Sequence, residues 1–240
     1  MSPSRLGIWT GTAAGLAAGS LLVYAVRGRS SSLLAPSVWR GSRSRPVLAL
    51  TFDDGPSEST PKLLEILARR RVRATFFMCG QNVRRLPEIA RMVHLSGHEI
   101  GNHSDTHPRF DFKSAEFIYR ELASAQESIQ AAAGAAPKLF RAPYGVRWFG
   151  LRQAQYSLGL TGVMWTAIGR DWRSSTPQVV RRLARGAVNG GILCLHDGRT
   201  VQPAPDIRNT LEAVKNVIPL LQGRGFQFQT VSELLCRPVS

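Results

Sequence analysis

From Pro46 onward, the chain alternates short apolar runs with longer amphipathic stretches. This alternation is typical of β/α units and predicts a parallel sheet. Seven apolar runs have strand length: VLALTFD, Ala74–Cys79, Glu99–His103, Lys138–Arg141, Gly162–Thr166, Gly191–Leu195 and Phe226–Thr230. Helices are predicted at Pro61–Arg71, Leu86–Ser96, Ser114–Ala133, Gln178–Ala187 and Asp206–Leu221. Seven strands favour a closed or nearly closed barrel, although the pattern alone also allows an open doubly wound sheet.

The N-terminus carries an uncharged stretch from Ile8 to Val26, with Arg5 before it and Arg27 and Arg29 after it. About 19 helical residues, at roughly 1.5 Å each, approach the thickness of a bilayer's hydrocarbon core. Arginines directly after the stretch suit a signal anchor better than a cleaved signal peptide. We therefore predict an anchor or signal peptide at residues 1–30, a basic linker at 31–45 and a catalytic domain at 46–236.

The chain is strongly basic, with 31 Lys and Arg residues against 16 Asp and Glu residues and a net charge of +15. Such a charge favours an anionic neighbour, which could be nucleic acid, a lipid surface or an acidic wall polymer. Zinc-finger spacing and RNA-binding aromatic motifs are absent from the sequence, so nucleic acid is not the expected partner. The three cysteines do not form a disulfide framework, and two of them, Cys79 and Cys194, are predicted to be buried free thiols.

Polar residues with catalytic potential cluster where predicted strands end. In parallel α/β folds these carboxyl ends meet in one crevice, so the residues are expected on one face. They are Asp53 and Asp54 after the first strand, His103 and His107 after the third, Arg141 after the fourth, Asp171 a few residues after the fifth, and His196 and Asp197 after the sixth.

His103 and His107 are four residues apart and could bind one ion if their loop forms a helical turn. Asp53 and Asp54 are adjacent on a strand and should point to different sides, so one can bind metal while the other faces substrate. Two histidines and one aspartate leave room for water, as catalytic zinc requires. The alternatives are a structural histidine and a simple Asp-Gly-Pro turn. His196 is placed to protonate a leaving group, with Asp171 to orient it.

The motifs TFDDGP, HSDTH, RAPYG, DW and LHD occur in an order and spacing that resemble the polysaccharide deacetylases, the NodB-homology domains of carbohydrate esterase family 4. The resemblance covers about residues 46–236. It implies a distorted (β/α)₇ barrel that removes N-acetyl groups from an amino-sugar polymer, peptidoglycan or a chitin-like oligosaccharide. An O-acetyl polysaccharide esterase and a non-catalytic glycan-binding relative are the alternatives.

The resemblance also implies a metal site and a base. Asp54, His103 and His107 would hold one divalent ion, zinc or else cobalt or nickel. Asp53 would be the base that activates water, and Arg141 would hold its carboxylate in place.

The remaining roles concern the leaving group and the acetyl pocket. His196 would be the acid, tuned by Asp171. The backbone N–H of Tyr144 would stabilise the oxyanion, and Trp172 and Leu195 would wall the acetyl pocket.

One position departs from the family pattern, because Ile168 stands where relatives often carry an aspartate. Activity should survive, since Asp171 remains, but substrate preference around this loop is open. The expected partners are an N-acetylated glycan and, through the N-terminal segment, a membrane. The protein is expected to be a monomer whose domain faces outside the cytoplasm, or to be secreted if the segment is cleaved.

Overall fold

The chain forms one parallel sheet with helices packed along its outer face. The structure is a computed structural model that describes residues 6–236, with side chains described from residue 17 onward. The strands are β1 (Ser37–Val38), β2 (Val47–Gly55), β3 (Thr75–Met78), β4 (Glu99–Asn102), β5 (Leu139–Phe140), β6 (Thr161–Val163), β7 (Ala167–Ile168), β8 (Gly191–His196) and β9 (Gln227–Gln229). The helices are α1 (Leu6–Arg27), α2 (Thr60–Arg69), α3 (Gly80–Arg85), α4 (Pro87–Leu95), α5 (Ala115–Ala133), α6 (Leu151–Ser157), α7 (Thr176–Gly186), α8 (Arg208–Gln222) and α9 (Val231–Leu235).

The strands follow the order β1-β6-β5-β4-β3-β2-β8-β7, and the ladders between them are parallel. β9 pairs with the first three residues of β2. The predicted parallel α/β architecture is confirmed, in the form of a curled half-barrel. The predicted closure is not found: β1 and β7 end the order, and within residues 6–236 no pairing joins them. Both end strands are two residues long, which leaves few backbone groups for a closing ladder.

The central strand β2 is buried along its whole length because both of its faces are covered. Leu48, Leu50 and Phe52 face the helices, whereas Val47 and Ala49 face the inside of the half-barrel. This alternation is the period of two that a pleated strand imposes on its side chains. The inward row is apolar at the bottom of the half-barrel and becomes polar toward the carboxyl end of the strand.

Residues 8–26, predicted as a membrane segment, are helical as part of α1. Within the described part of the chain, no helix is both long enough and apolar enough to cross a bilayer.

Residues 31–45 lie against the domain and do not form the free linker that we predicted. Ala35 is fully buried in an apolar cluster, and β1 adds to the sheet beside β6. Arg40 makes an antiparallel bridge to Gly191 at the start of β8. The apolar residues within this basic stretch bury themselves, so the folded domain begins before residue 46.

Arg147 fixes the segment that leads out of α1. Its guanidinium donates hydrogen bonds to the carbonyls of Ser31, at 2.9 Å, and of Gly28, and its backbone N–H donates to Val26 at 3.0 Å. The side chain is buried. A buried guanidinium with backbone acceptors holds this segment beside the loop that follows a 3₁₀ turn at Pro143–Gly145.

We expect Arg147→Ala to lower the free energy of unfolding by about 2–3 kcal/mol, because the buried carbonyl of Ser31 and the partly buried carbonyl of Gly28 lose a charged donor. Arg152→Ala is the matched control, since Arg152 is exposed and donates to the neighbouring carbonyls of Ser32 and Leu33. Water can replace it there, so the change should stay within about 0.5 kcal/mol. Urea denaturation measures both variants. Equal losses of unfolding free energy in the two would contradict this role of Arg147.

Candidate active site

The two adjacent aspartates of β2 reach one cavity through a bulge. Asp53 stays in register, opposite Phe77 of β3 and His196 of β8, and the register with β3 then shifts between Asp53 and Gly55. Asp54 sits in this bulge with a left-handed φ of 71°. The expectation that the two side chains point to opposite sides is therefore wrong, because the extra residue turns Asp54 back toward the cavity that Asp53 also lines.

Arg141 binds the Asp53 carboxylate inside the half-barrel. Its Nη1 donates to Asp53 Oδ1 at 2.6 Å and to the Thr51 hydroxyl at 2.7 Å. Its Nε donates to the Val163 carbonyl at 3.2 Å, and the guanidinium lies 4.1 Å from the centre of the Phe77 ring. The arginine side chain has no exposed surface. Both ions are thus removed from water, and each is the partner of the other.

Asp54, His103 and His107 converge as predicted. Asp54 Oδ1 lies 3.4 Å from His103 Nε2 and 3.0 Å from His107 Nε2. Burial would raise the pKa of Asp54, but the two neighbouring imidazoles outweigh it and hold the pKa well below its usual range. The group is therefore a carboxylate at neutral pH.

The loop that brings the two histidines together is not helical, contrary to the expectation from their spacing. Ser104 and His107 both have left-handed φ, of 64° and 59°. The buried Glu121 of α5 holds this loop: its carboxylate accepts the N–H groups of Asp105 and Thr106 at 3.0 and 2.9 Å. A helix side chain, not a helical turn, thus sets the spacing of the imidazoles.

These three side chains fit a divalent cation. Their donor atoms lie within 4.8 Å of one another, and Asp54 Oδ1 is buried without a hydrogen-bond donor. His103 Nδ1 is 2.7 Å from the Arg141 carbonyl, which fixes the ring and leaves Nε2 to bind an ion. Two imidazoles and one carboxylate with an open side form the donor set of a catalytic zinc site.

His196 and Asp171 form a second pair on the other side of Asp53. His196 Nδ1 lies 2.9 Å from Asp171 Oδ1, while Asp171 Oδ2 accepts from the His196 backbone at 3.1 Å and from Thr210 at 2.6 Å. Burial alone would lower the pKa of His196, but the Asp171 charge and hydrogen bond outweigh it and raise the pKa to about 9. The imidazole is therefore protonated at neutral pH.

A cavity of about 210 Å³ lies between these groups. Seven of the ten predicted site residues line it: Asp53, Asp54, His103, His107, Tyr144, Trp172 and His196. Arg141 and Asp171 lie behind it and contact the side chains that do. The cavity is also lined by Ile168, which puts an apolar surface where the family often carries an aspartate.

Leu195 is the one predicted residue that the structure does not bring to this cavity. Its neighbours Cys194 and His196 face the inside of the half-barrel, so the alternation of β8 turns Leu195 toward the helices. There it is fully buried in the core cluster that contains Val179 and Leu183. The assignment of Leu195 to the acetyl pocket is corrected accordingly.

Two buried residues near the cavity, Glu121 and Cys194, were not among the predicted site residues. Asp197, which the sequence places at the end of the sixth strand without a catalytic role, is buried there as well. Glu121 has a sequence signal, because it occupies the buried face of α5 between Ile118 and Leu122. Asp197 accepts from Thr60 at 2.6 Å and thereby ties the start of α2 to the end of β8, and burial raises its pKa to about 7.

Cys194 contacts the base candidate directly. Its Sγ lies 3.3 Å from Asp53 Oδ2. The sequence offered no signal for this contact, since a cysteine in an apolar strand has the same pattern as any core residue.

Comparison with known proteins finds one matching family model and several related deacetylases. Residues 40–163 match a family model described as polysaccharide deacetylase. A chitooligosaccharide deacetylase from Bradyrhizobium sp. (strain ANU 289) is 35% identical and aligns over 81% of this chain and 91% of its own. The crystal structure of a peptidoglycan N-acetylglucosamine deacetylase gives a TM-score of 0.77 at 29% identity, covering 82% of this chain and 91% of that one. A family 4 carbohydrate esterase from Streptomyces lividans, in complex with acetate, gives 0.69 at 37% identity, covering 76% and 91%.

We expect Asp54→Asn to weaken binding of the first equivalent of Zn²⁺ by at least about 100-fold, because the only anionic donor of the set is lost and even outer-shell changes cost 10–100-fold. Isothermal titration calorimetry measures the effect. His94→Ala is the control, since His94 is exposed and outside the cluster. Unchanged affinity in Asp54→Asn would remove this aspartate from the site.

Proposed function

The chain belongs to the polysaccharide deacetylase family, and we propose that it hydrolyses N-acetyl groups on an amino-sugar polymer and releases acetate. The observation that carries the proposal is one cavity lined by a carboxylate held by a buried arginine, a protonated histidine and an Asp-His-His cluster. Amide hydrolysis needs a base, an acid and stabilisation of an oxyanion at one carbon, and these groups can supply all three.

The proposed substrates are peptidoglycan and chitin-like oligosaccharides, the two polymers named for the relatives. Peptidoglycan is the first choice, because the net charge of +15 favours the anionic surroundings of a cell wall. Acetate release from peptidoglycan, N-acetylglucosamine oligomers and O-acetylated xylan tests this choice. Release from xylan alone would favour an O-acetyl esterase.

Zinc is the proposed ion at Asp54, His103 and His107, with cobalt or nickel as substitutes. When bound by these three side chains, a divalent ion would supply Lewis-acid chemistry: it would polarise the acetyl carbonyl and lower the pKa of an attacking water. The three side chains provide one negative charge and two neutral nitrogens, so the site keeps a net positive charge when filled.

Asp53 is the proposed general base. Arg141 holds its Oδ1, so its Oδ2 is the oxygen left to accept a proton from water. The arginine fixes the orientation of the Asp53 carboxylate toward the cavity. Because the pair is buried, the carboxylate cannot turn away without leaving the guanidinium unpaired.

His196 is the proposed general acid. Its Nδ1 is engaged by Asp171, so Nε2 is the position from which a proton can reach the departing amine. Asp171 in turn is fixed by Thr210 and by the His196 backbone, so the ring has one orientation.

Tyr144 and Trp172 are the proposed substrate contacts. Tyr144 has a left-handed φ of 56° in the 3₁₀ turn, and its ring meets His107 edge-on at 4.6 Å. This strained position supports the proposal that its N–H is turned toward the oxyanion. Trp172 meets His196 edge-on at 4.8 Å and supplies an apolar wall for the acetyl methyl group.

The proposed place of action is outside the cytoplasm, where the wall polymer lies, with residues 1–30 acting as the export signal. Protease accessibility in intact cells tests the placement. N-terminal sequencing of the exported protein distinguishes an anchored form from a cleaved one.

We expect Asp53→Asn to lower kcat by about 10²–10⁴-fold, because the amide cannot take the proton from water. Binding of the first Zn²⁺ should persist, since Asp53 is not one of its three ligands. Acetate release and calorimetry on the same preparation measure both quantities. Full activity in Asp53→Asn would remove the base assignment, and loss of zinc binding would show that the two aspartates do not have separate roles.

We expect Asp171→Asn to move the alkaline limb of the kcat profile to lower pH. His196 has a pKa of about 9, so the acid is lost as pH rises through that value. Removing the Asp171 charge lowers this pKa, by roughly 1–3 units. Trp172→Phe is the control, because Trp172 contacts the same His196 ring but carries no charge. This variant should leave the alkaline limb at its original pH. An unmoved limb in Asp171→Asn would contradict the acid assignment.

A further inference from the structure

A second group of metal-binding side chains lies beside the first. Asp53, Cys194 and His196 each offer a donor atom, and these atoms lie within 4.8 Å of one another. The shortest separation is 3.3 Å, between Cys194 Sγ and Asp53 Oδ2. β2 and β8 create the group, because their parallel register sets Asp53 opposite His196 and Thr51 opposite Cys194.

The atoms that face one another in this group are the ones left over from other contacts. Asp53 Oδ1 is bound by Arg141, which leaves Oδ2. His196 Nδ1 is bound by Asp171, which leaves Nε2. The Cys194 thiol has its closest side-chain acceptor in Asp53. Three unlike donors from two strands therefore lie within 4.8 Å of one another, and two of the three residues, Asp53 and His196, line the cavity.

We infer that Asp53, Cys194 and His196 form a second, inhibitory site for a thiophilic divalent ion such as Zn²⁺ or Cd²⁺. Two ligands of a tetrahedral zinc ion stand roughly 3.5 Å apart for the usual bond lengths, which the sulfur–oxygen pair matches. The other separations, at most 4.8 Å, reach that value with side-chain shifts of about 1 Å.

The donor set decides which ions can bind. Thiolate and imidazole select zinc, cadmium and cobalt over magnesium, calcium and manganese, which prefer oxygen. The cluster of Asp54, His103 and His107 contains no sulfur, so an ion bound to it has different ligands from an ion bound to Asp53, Cys194 and His196. Sulfur coordination is therefore a signature of the second site.

Binding at the second site releases protons. An ordinary cysteine thiol is protonated at neutral pH, and the Cys194 Sγ lies 3.3 Å from its acceptor, Asp53 Oδ2. An incoming ion must displace this proton and the one on His196 to solvent, since coordinated thiolate and imidazole are deprotonated. Excess metal is needed for that exchange.

An ion at this position takes the two reactive atoms of the proposed reaction. Asp53 Oδ2 can no longer accept a proton, and His196 Nε2 can no longer donate one. Excess zinc should therefore inhibit acetate release, whereas excess manganese should not. The inhibition rests on the proposed function, but the binding does not.

The test is a Co²⁺ titration of the full chain, followed by absorption spectroscopy. The native protein should bind two ions per chain, and the second should bring a thiolate-to-cobalt charge-transfer band in the near ultraviolet. Cys194→Ser and Cys194→Ala should bind one ion and lack the band. Cys79→Ser and Cys236→Ser are the matched controls, one thiol being buried and the other exposed, and both should keep it.

The absence of the band from native protein, or its persistence in a folded Cys194 variant, would overturn the inference. In the activity assay, each protein is compared with its own rate at one equivalent of metal. The zinc concentration for half-inhibition should rise at least about tenfold in Cys194→Ser, the lower end of what an outer-shell change costs. A band without any acetate release would leave the second site standing and remove the proposed function.

Discussion

The buried pair of Arg141 and Asp53 organises the upper half of the half-barrel. An unpaired ion inside a protein is unfavourable by several kcal/mol, so neither partner can move without the other. The arginine touches β2 through Thr51 and Asp53, β3 through Phe77 and β6 through the Val163 carbonyl. One guanidinium thereby holds three strands in the register that the cavity requires.

Charge around the cavity is divided into pairs. Asp53 faces an arginine, Asp54 faces two imidazoles, and Asp171 faces a third. Each carboxylate has a different partner, so three acidic groups coexist in a small buried volume. The apolar lower half of the half-barrel keeps water from screening these interactions, which makes each pairing stronger than it would be at the surface.

The parallel α/β architecture and the convergence of the polar residues could be predicted from the sequence. The alternation of apolar and amphipathic segments indicates parallel strands, and the carboxyl ends of parallel strands meet at one edge of the sheet. The open side of the half-barrel could not be predicted, because the end strands β1 and β7 are too short to produce a periodic pattern in the sequence. The bulge at Asp54 and the non-helical loop before His107 depend on left-handed backbone that no local pattern announced. The role of Leu195 in the acetyl pocket was predicted from the family resemblance alone. The alternation of side chains along β8 turns Leu195 toward the helices.

The bulge separates two tasks between neighbouring residues: Asp54 belongs to the cation cluster and Asp53 to the arginine. Under the proposed roles, a single nucleotide change in the codon for Asp53 would abolish turnover, while the cation and the glycan would still bind. Such a protein would persist in a genome as a lectin-like descendant. Conversion back to an enzyme would then require only the reverse change, so gain and loss of activity are one mutational step apart on this scaffold.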